Sequence, residues 1–233
     1  MTTFLEEIKK SSIEPFSDDF KQEVRDDFWI CCVSREMSLL GRKEVLTGKA
    51  KFGIFGDGKE VPQVAMARAF KKGDWRSGYY RDQTLMLALG ITNVENLFAQ
   101  LYADADNDKF SKGRQMNAHF ATPFFDEDGN WLDLKETYNV SSDISCTAGQ
   151  MPRAVGLALA SKTYRNSKVI HPENNFSHQG NEVCFCTIGD ASTSEGVFWE
   201  AINAAGVMQI PMAISVWDDG YGISVPIEYQ TTK

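Results

Sequence analysis

Several features are scarce in this sequence of 233 residues, and each absence argues against a class of protein. No apolar run approaches the ~20 residues that cross a bilayer, and the N-terminus lacks a cationic start followed by an apolar stretch, so we expect no membrane span and no secretory signal. Lys and Arg total 24 against 32 Asp and Glu, which argues against nucleic-acid binding. The five cysteines form no CxxC pair, which favours small buried side chains in a reducing cytoplasm.

The organisation of the chain is read from its hydrophobic periodicity and its prolines and glycines. We predict an N-terminal arm over residues 1–17 and one domain over 18–233. Residues 104–147 have little periodicity, and so long an irregular segment in a compact domain is usually functional. Helices are predicted over Asp18–Leu40, from Pro62 to Phe70, and over 82–89, 93–102 and 151–164, the last fully buried, with a short strand at 75–80.

The last third of the chain has the clearest pattern. Apolar runs at Val183–Ile188 and Pro211–Trp217 flank a helical stretch at Glu195–Met208. A strand, a helix and a second strand within about 35 residues are typical of a parallel βαβ unit. We therefore predict an α/β fold, a mostly parallel sheet flanked by helices.

Two acidic residues follow the strands of this unit. Asp190 comes directly after the first strand and Asp219 after the second. Because parallel strands end at the same sheet edge and lie ~5 Å apart, the two carboxylates are predicted to meet there. Two carboxylates at one edge can share Mg²⁺, which favours oxygen ligands and substrate phosphates.

Simpler interpretations of the same residues exist. Ser192 to Glu195 has the pattern of a capping box, in which Glu195 only closes a helix start. Asp219-Gly220 is a common turn dipeptide, and Asp190 could be an ordinary loop acid.

Ordered motifs across residues 25–228 resemble a known family. Gly189-Asp190-Ala191 followed by Asp218-Asp219 is similar to the thiamine-diphosphate signature, a GDG with a later Asn. The longer segment that begins with this motif, residues 189–205, is similar to the α subunit of 2-oxoacid dehydrogenase decarboxylases. The further matching segments are Gly58-Lys59-Glu60 (the family's GQE loop), Tyr79-Tyr80-Arg81-Asp82, Gly113 to His119 (its GRQM segment), Gly149 to Gly156 and Gly220 to Pro226.

The resemblance implies a thiamine-diphosphate-binding domain with specific site residues. Magnesium would be held by Asp190, Asp219 and the backbone carbonyl of Tyr221. The cofactor would be contacted by Tyr80 and Arg81 at its diphosphate, by the backbone of Ala191 and Ser192 at its phosphates, and by Ser145 and Thr147 near its rings. No catalytic residue is assigned.

Departures from the motifs affect these expectations. Asp219 replaces the usual Asn and adds negative charge opposite a diphosphate. Ala191 replaces the third Gly of GDG and could crowd a close backbone approach. Ile54 stands where some pyruvate-specific relatives have a polar residue, and this favours a branched-chain substrate such as 2-oxoisovalerate.

The implied reaction is oxidative decarboxylation of a 2-oxoacid with acyl transfer to a lipoyl group. The resemblance places the necessary Glu on a β subunit or a fused C-terminal half, so we expect 18–233 to be truncated at its C-terminal side and inactive alone. A homo- or hetero-oligomer and a lipoyl acyltransferase partner are also expected. The alternatives are a pyruvate or acetoin dehydrogenase component, or a degenerate assembly subunit without catalysis.

Overall fold

The computed structural model describes residues 16–170 and 173–231. Most of the predicted N-terminal arm lies outside these residues. Helix α1 covers Asp18–Leu46, and the Ser17 hydroxyl caps it by accepting a hydrogen bond from the Phe20 amide at 3.1 Å. The helix starts where predicted but continues beyond Leu40. Gly41 lies inside this helix. A residue without a side chain is needed there, because a Cβ would overlap the ring of Phe55.

The face that carries the helical period of Phe20, Val24, Phe28 and Cys31, which predicts α1, is not the face that the helix buries. Phe28 is 69% exposed and Val24 is 49% exposed. The buried face is polar, with Ser34 and Ser38 both hydrogen-bonded to the Gln83 amide at 3.0 and 2.7 Å. The hydrophobic periodicity therefore predicted the helix correctly, but the apolar side chains that produce it lie largely on the surface.

The other elements follow the predicted order with adjusted ends. Strand β1 is shorter than expected because the chain turns at Gly78 and the Asp82 amide bonds the Tyr79 carbonyl at 3.2 Å. The elements are α2 (Glu60–Ala69), β1 (Trp75–Ser77), α3 (Gln83–Ala88), α4 (Val94–Leu101), β2 (Asn139–Val140), α5 (Gln150–Asn166), β3 (Cys184–Gly189), α6 (Gly196–Met208), β4 (Met212–Trp217), β5 (Tyr221–Gly222) and β6 (Val225–Pro226). Short 3₁₀ segments lie at Asp190–Ser194 and Ile227–Tyr229.

The four main strands form one parallel sheet in the order β2-β1-β3-β4. Strands β3 and β4 pair in register from Cys184 opposite Met212 to Gly189 opposite Trp217. The predicted parallel β3-α6-β4 unit and α/β fold are thus confirmed. Strands β5 and β6 form a separate antiparallel hairpin just after β4.

Strand β3 contributes to both faces of the sheet because its side chains alternate. On one side Cys184, Cys186 and Ile188 pack in a core with the buried residues of α5 and α6. On the other side the ring of Phe185 lies 5.0 Å from that of Phe70, at the end of α2. Helices therefore cover both faces of the sheet.

Helix α5 is not fully buried, which corrects the prediction made from its many small residues. Met151, Ala154 and Ala158 are completely buried against the sheet, but Leu159 is 39% exposed. Gly156 has nothing near the position that a Cβ would take. One face of α5 packs and the other is open.

Three further expectations can be compared with the structure. Residues 104–147 are largely irregular apart from β2, as predicted. Cys184 and Cys186 are buried as expected, whereas Cys146 is exposed and was wrongly interpreted as a buried side chain. Among the helices of the described residues, none combines the length and apolarity that a bilayer span requires.

Candidate functional site

The carboxyl ends of β3 and β4 place the two predicted acidic residues at one edge. Because Gly189 pairs with Trp217, Asp190 leaves the sheet directly beside the start of the Asp218-Asp219 turn. Asp190 is 2% exposed. Asp218, not Asp219, caps the turn by accepting a hydrogen bond from the Gly220 amide at 2.8 Å. Asp219 is therefore free of the turn role that its dipeptide suggested.

The capping-box interpretation of Ser192 to Glu195 is not supported. Residues Asp190–Ser194 form a 3₁₀ turn, and α6 begins only at Gly196. Glu195 occupies the N-cap position without a side-chain hydrogen bond to the helix. Glu195 instead lines the cavity described below.

The pKa of Asp190 is raised at this edge. Burial is the largest cause, and the nearby negative charge of Asp219 raises that pKa further. Both effects disfavour the charged form of the Asp190 carboxyl. A divalent cation between the two carboxylates would favour that charged form.

Asp219 has two cationic neighbours that come from other parts of the chain. Arg81 Nη1 lies 2.5 Å from Asp219 Oδ2, and Lys59 Nζ lies 3.4 Å from the same oxygen. Arg81 follows β1, and Lys59 precedes α2. Three separate loops therefore meet at this carboxylate.

A cavity of about 550 Å³ opens at this edge of the sheet, a size typical of small-molecule sites. It brings together every residue predicted to touch the cofactor, although these come from three separate segments, and it includes the predicted metal ligand Tyr221 from a fourth. Asp219 contacts the cavity residue Arg81 from outside the lining. The predicted residues that line the cavity are Tyr80, Arg81, Ser145, Thr147, Asp190, Ala191, Ser192 and Tyr221.

Unpartnered polar atoms concentrate in this cavity. Across the part of the chain that the structure describes, four buried side-chain polar atoms have no hydrogen-bond partner. Three of them, Tyr79 Oη, Arg81 Nε and Asp190 Oδ2, belong to residues that line the cavity. Buried polar groups are normally paired, so this concentration indicates a surface made to bind a polar ligand.

Ala191 is accommodated without closing the cavity. Its methyl group lies against Gly222 on β5, and a Cβ on Gly222 would overlap the Gln230 amide and crowd Ala191. The missing side chain of Gly222 thus provides the space that the alanine uses. Whether Ala191 crowds the approach of a cofactor stays a prediction.

A buried ionic network lies beneath the cavity. The Arg76 guanidinium donates to Asp82 Oδ2 at 2.7 Å, to Asp143 Oδ1 at 2.8 Å and to the Tyr79 carbonyl at 2.9 Å. The three charged side chains are completely buried. Burial alone would lower the pKa of Arg76, but the charges of Asp143 and Asp82 outweigh it and raise that pKa.

Asp82 connects this network to the strands of the site. It accepts hydrogen bonds from Trp217 Nε1 on β4, at 2.8 Å, and from the Thr187 hydroxyl on β3. Since Asp82 follows Arg81 directly, its bonds to Arg76, Trp217 and Thr187 fix the loop that carries Arg81 to the same strand ends that carry Asp190.

The remaining predicted residues are held by the GRQM segment. His119 Nε2 lies 3.0 Å from Ser145 Oγ, which orients the Ser145 hydroxyl at the cavity wall. Asn117 accepts a hydrogen bond from the Ile54 amide at 2.9 Å and donates one to its carbonyl at 2.6 Å. Ile54 also lines the cavity.

Sequence reasoning missed two residues of the site. Tyr79 stands beside the recognised Tyr80-Arg81 step, and burial raises its pKa, so its hydroxyl remains a donor. Lys59 stands inside the recognised Gly58-Lys59-Glu60 segment, but the sequence offered no signal that its ammonium reaches Asp219.

Comparisons with known proteins agree with this geometry. A 2-oxoisovalerate dehydrogenase subunit alpha of Bacillus subtilis (strain 168) is 29% identical over 199 residues, covering 85% of this chain and 50% of the relative. A mitochondrial 2-oxoisovalerate dehydrogenase subunit alpha 2 of Arabidopsis thaliana is 30% identical over 184 residues, covering 78% and 32%. The human mitochondrial subunit alpha is 27% identical over 183 residues, covering 78% and 34%.

The chain thus spans between a third and a half of the length of these relatives. The family model described as dehydrogenase E1 component matches residues 32–233, which include α2, the whole sheet and every residue of the cavity. This protein belongs to the dehydrogenase E1 component family and resembles its 2-oxoacid dehydrogenase alpha subunits.

Proposed function

We propose that this chain is the cofactor-binding part of a 2-oxoacid dehydrogenase that catalyses oxidative decarboxylation and transfers the acyl group to a lipoyl arm. The observation that supports this most is the cavity at the carboxyl edge of the sheet, which gathers every predicted residue except Asp219 and contains three residues with an unpartnered polar atom. Ligands of open α/β sheets bind at this edge.

The residues present fit a divalent metal with a diphosphate. A cation would give the unpartnered Asp190 Oδ2 a partner and would favour the charged form of Asp190, whose pKa is raised by burial and by the charge of Asp219. The described residues contain no group of three His, Cys, Asp or Glu side chains that could hold a metal. Two carboxylates, the Tyr221 carbonyl and diphosphate oxygens would instead complete an oxygen shell that suits Mg²⁺.

The remaining residues fit the rest of the cofactor. Arg81 would bind the diphosphate through its forked donors, beside the Tyr80 ring that its guanidinium already overlies at 5.6 Å. The backbone of Ala191 and Ser192 would approach the phosphates, and Ser145 and Thr147 would border the rings. Thiamine diphosphate, when bound, supplies the carbanion chemistry that decarboxylation requires.

The substrate class and the partners follow from the same proposal. Ile54 presents an apolar side chain in the cavity, which favours a branched-chain 2-oxoacid over pyruvate or acetoin. The curated relatives are named for 2-oxoisovalerate. We propose that residues 18–233 work with a β subunit or a further domain carrying the necessary Glu, and with a lipoyl acyltransferase.

Exposed apolar side chains support such an assembly. Phe28 and Trp29 on α1 are 69% and 70% exposed, and Val207 on α6 is 76% exposed. Monomeric proteins rarely expose large apolar side chains in contiguous groups, and such groups commonly mark protein interfaces.

Calorimetry with thiamine diphosphate and Mg²⁺ tests the proposal. We expect tight binding that Asp190→Ala weakens by about 100-fold, or about 2.7 kcal/mol. Asp133→Ala is the matched control because its carboxylate is 46% exposed and contacts only the neighbouring Lys135, through its ammonium at 3.7 Å and its backbone amide at 3.2 Å. Absence of binding in the unsubstituted protein would support the alternative, an assembly subunit without cofactor.

A second experiment tests the division of the site between this chain and a partner. Turnover of 2-oxoisovalerate by the chain without a partner would contradict that division.

A further inference from the structure

A buried lysine stands beside the acidic pair, outside the residues that the motifs assign to the cofactor. The Lys59 side chain is 10% exposed, and its Nζ lies 3.4 Å from Asp219 Oδ2. An ammonium group is costly to bury unless it is paired. Its partner here is Asp219, the carboxylate proposed as a metal ligand, which also contacts the cavity residue Arg81. Lys59 and Asp219 themselves lie just outside the cavity lining.

The loop that carries Lys59 is held at both sides. The Glu60 carboxylate forms a two-point pair with Arg35 at 2.7 and 2.8 Å and accepts a hydrogen bond from the Gly58 amide at 3.1 Å. Asp57 pairs with Arg42 at 2.7 Å. Lys59 is therefore placed beside Asp219 by its neighbours, and its backbone has little freedom to move away.

One carboxylate oxygen holds two cations in this arrangement. Asp219 Oδ2 is bound by Arg81 as well as by Lys59. Together with Asp190, these four side chains carry two negative and two positive charges. If a divalent cation binds the Asp219 carboxylate, Lys59 and Arg81 both lose their ion-pair partner. The oxygens of a bound diphosphate could then replace that partner.

We propose that Lys59 is a further binding residue for the diphosphate: it neutralises Asp219 in the free protein and binds a phosphate oxygen once a divalent cation holds Asp219. This inference rests on the proposed function and adds a residue to its site. Lys59 thus competes with the metal for Asp219 but assists the anion. The two effects have opposite signs, which a merely structural role for Lys59 would not produce.

Calorimetry on Lys59→Gln measures both effects separately. Thiamine diphosphate at saturating Mg²⁺ should bind about tenfold more weakly, the loss of one charge-assisted hydrogen bond. Mg²⁺ alone should bind about threefold more tightly, because Asp219 has lost a competing cation. Lys49→Gln is the matched control, since Lys49 pairs with Glu44 at 3.1 Å but is 67% exposed. It should change neither affinity.

The same comparison in an Asp219→Asn background keeps the test decisive where Lys59→Gln fails to fold. Adding Lys59→Gln to Asp219→Asn should again weaken thiamine diphosphate binding about tenfold. It should leave the affinity for Mg²⁺ alone unchanged, because the competing carboxylate is gone. Equal cofactor affinity with and without Lys59, in a protein that binds the cofactor, would overturn this inference and leave the proposed function standing. A protein that binds no cofactor at all would overturn both.

Discussion

The Arg76 network and the cavity at the sheet edge are two neighbouring polar regions. They differ in how many of their polar atoms have a hydrogen-bond partner. Beneath the sheet edge, Arg76 and its two aspartates are fully buried, and the three donor nitrogens of the guanidinium all have partners. At the edge itself, Tyr79, Arg81 and Asp190 each keep an unpartnered atom. The same kinds of side chain therefore serve stability in one region and ligand binding in the other.

The difference shows where the chain leaves hydrogen-bonding capacity unused. Asp82 and Arg81 are neighbours in sequence but belong to different regions. The Asp82 carboxylate accepts hydrogen bonds from Arg76, Trp217 and Thr187. Arg81 lines the cavity instead, and its Nε has no hydrogen-bond partner. A fully paired network fixes the loop, and the unpaired groups that it fixes are available to a ligand.

The largest expected effect breaks the lower region. Asp82→Asn keeps the shape of the side chain but leaves the buried Arg76 with one charged partner fewer. Breaking a buried pair in this way costs about 3–5 kcal/mol of the free energy of unfolding. Urea denaturation followed by circular dichroism measures this cost.

Asp57→Asn is the matched control for that prediction. Its pair with Arg42 is also 2.7 Å long, but the Arg42 side chain is 52% exposed. Exposed pairs contribute about 0–1 kcal/mol, so the control should lose little stability. Equal losses in the two variants would show that the Arg76 network is not the structural base of the site.

A middle-sized effect should appear where the regions join. A Cβ on Gly56 would overlap the carbonyl oxygen of Arg81, which also accepts a hydrogen bond from Gln63 at 2.7 Å. Gly56→Ala should therefore displace the Arg81 loop and lower the free energy of unfolding by about 1–3 kcal/mol. It should also weaken thiamine diphosphate binding, which calorimetry measures.

Gly156→Ala provides the contrast. Gly156 lies inside α5 with nothing within reach of an added Cβ. Alanine there should raise the free energy of unfolding by about 0.5–1 kcal/mol through helix propensity. If Gly56→Ala behaved in the same way, the close approach to Arg81 would not constrain the cavity.

Much of the fold follows from local patterns. The β3-α6-β4 unit was predictable because apolar runs and a helical period lie close together in sequence. The end of β1 was not, because it depends on Asp82 and Arg76 folding the chain back at Gly78. The exposure of α5 was also missed, since composition does not reveal which side of a helix meets a neighbour.

The site shows the same limit. The sequence placed Asp190 and Asp219 at one edge through a topological rule that holds for nearly all parallel units. It gave no reason to connect Lys59, inside the matching Gly58-Lys59-Glu60 segment, with Asp219, which stands 160 positions later. Only the folded chain makes them neighbours, because their contact depends on how α2 and β4 approach each other.

A smaller effect sharpens the comparison through pH. The pKa of Asp190 is raised in the folded protein by burial and by Asp219, so the folded state binds a proton that the unfolded state has already released. Without ligand, the stability contribution of Asp190 should therefore fall as pH rises from about 4, its unfolded pKa, through the folded value. Asp190→Asn should remove this decline and be more stable than the unsubstituted protein at neutral pH.

Urea denaturation at a series of pH values, without metal or cofactor, measures this difference. A parallel pH dependence in both proteins would mean that Asp190 is not held in an unfavourable charged state. The weaker cofactor binding expected of Asp190→Ala would then need another explanation than removal of a charged carboxylate that binds a cation.

The smallest effect concerns Glu195, at the boundary between the cavity and α6. A capping-box glutamate contributes about 1 kcal/mol, but Glu195 makes no side-chain bond to the helix and lines the cavity instead. Glu195→Ala should therefore change the free energy of unfolding by less than about 0.5 kcal/mol, as ordinary surface substitutions do. If urea denaturation showed a loss of about 1 kcal/mol in the free energy of unfolding, Glu195 would have a capping role and would contribute to stability.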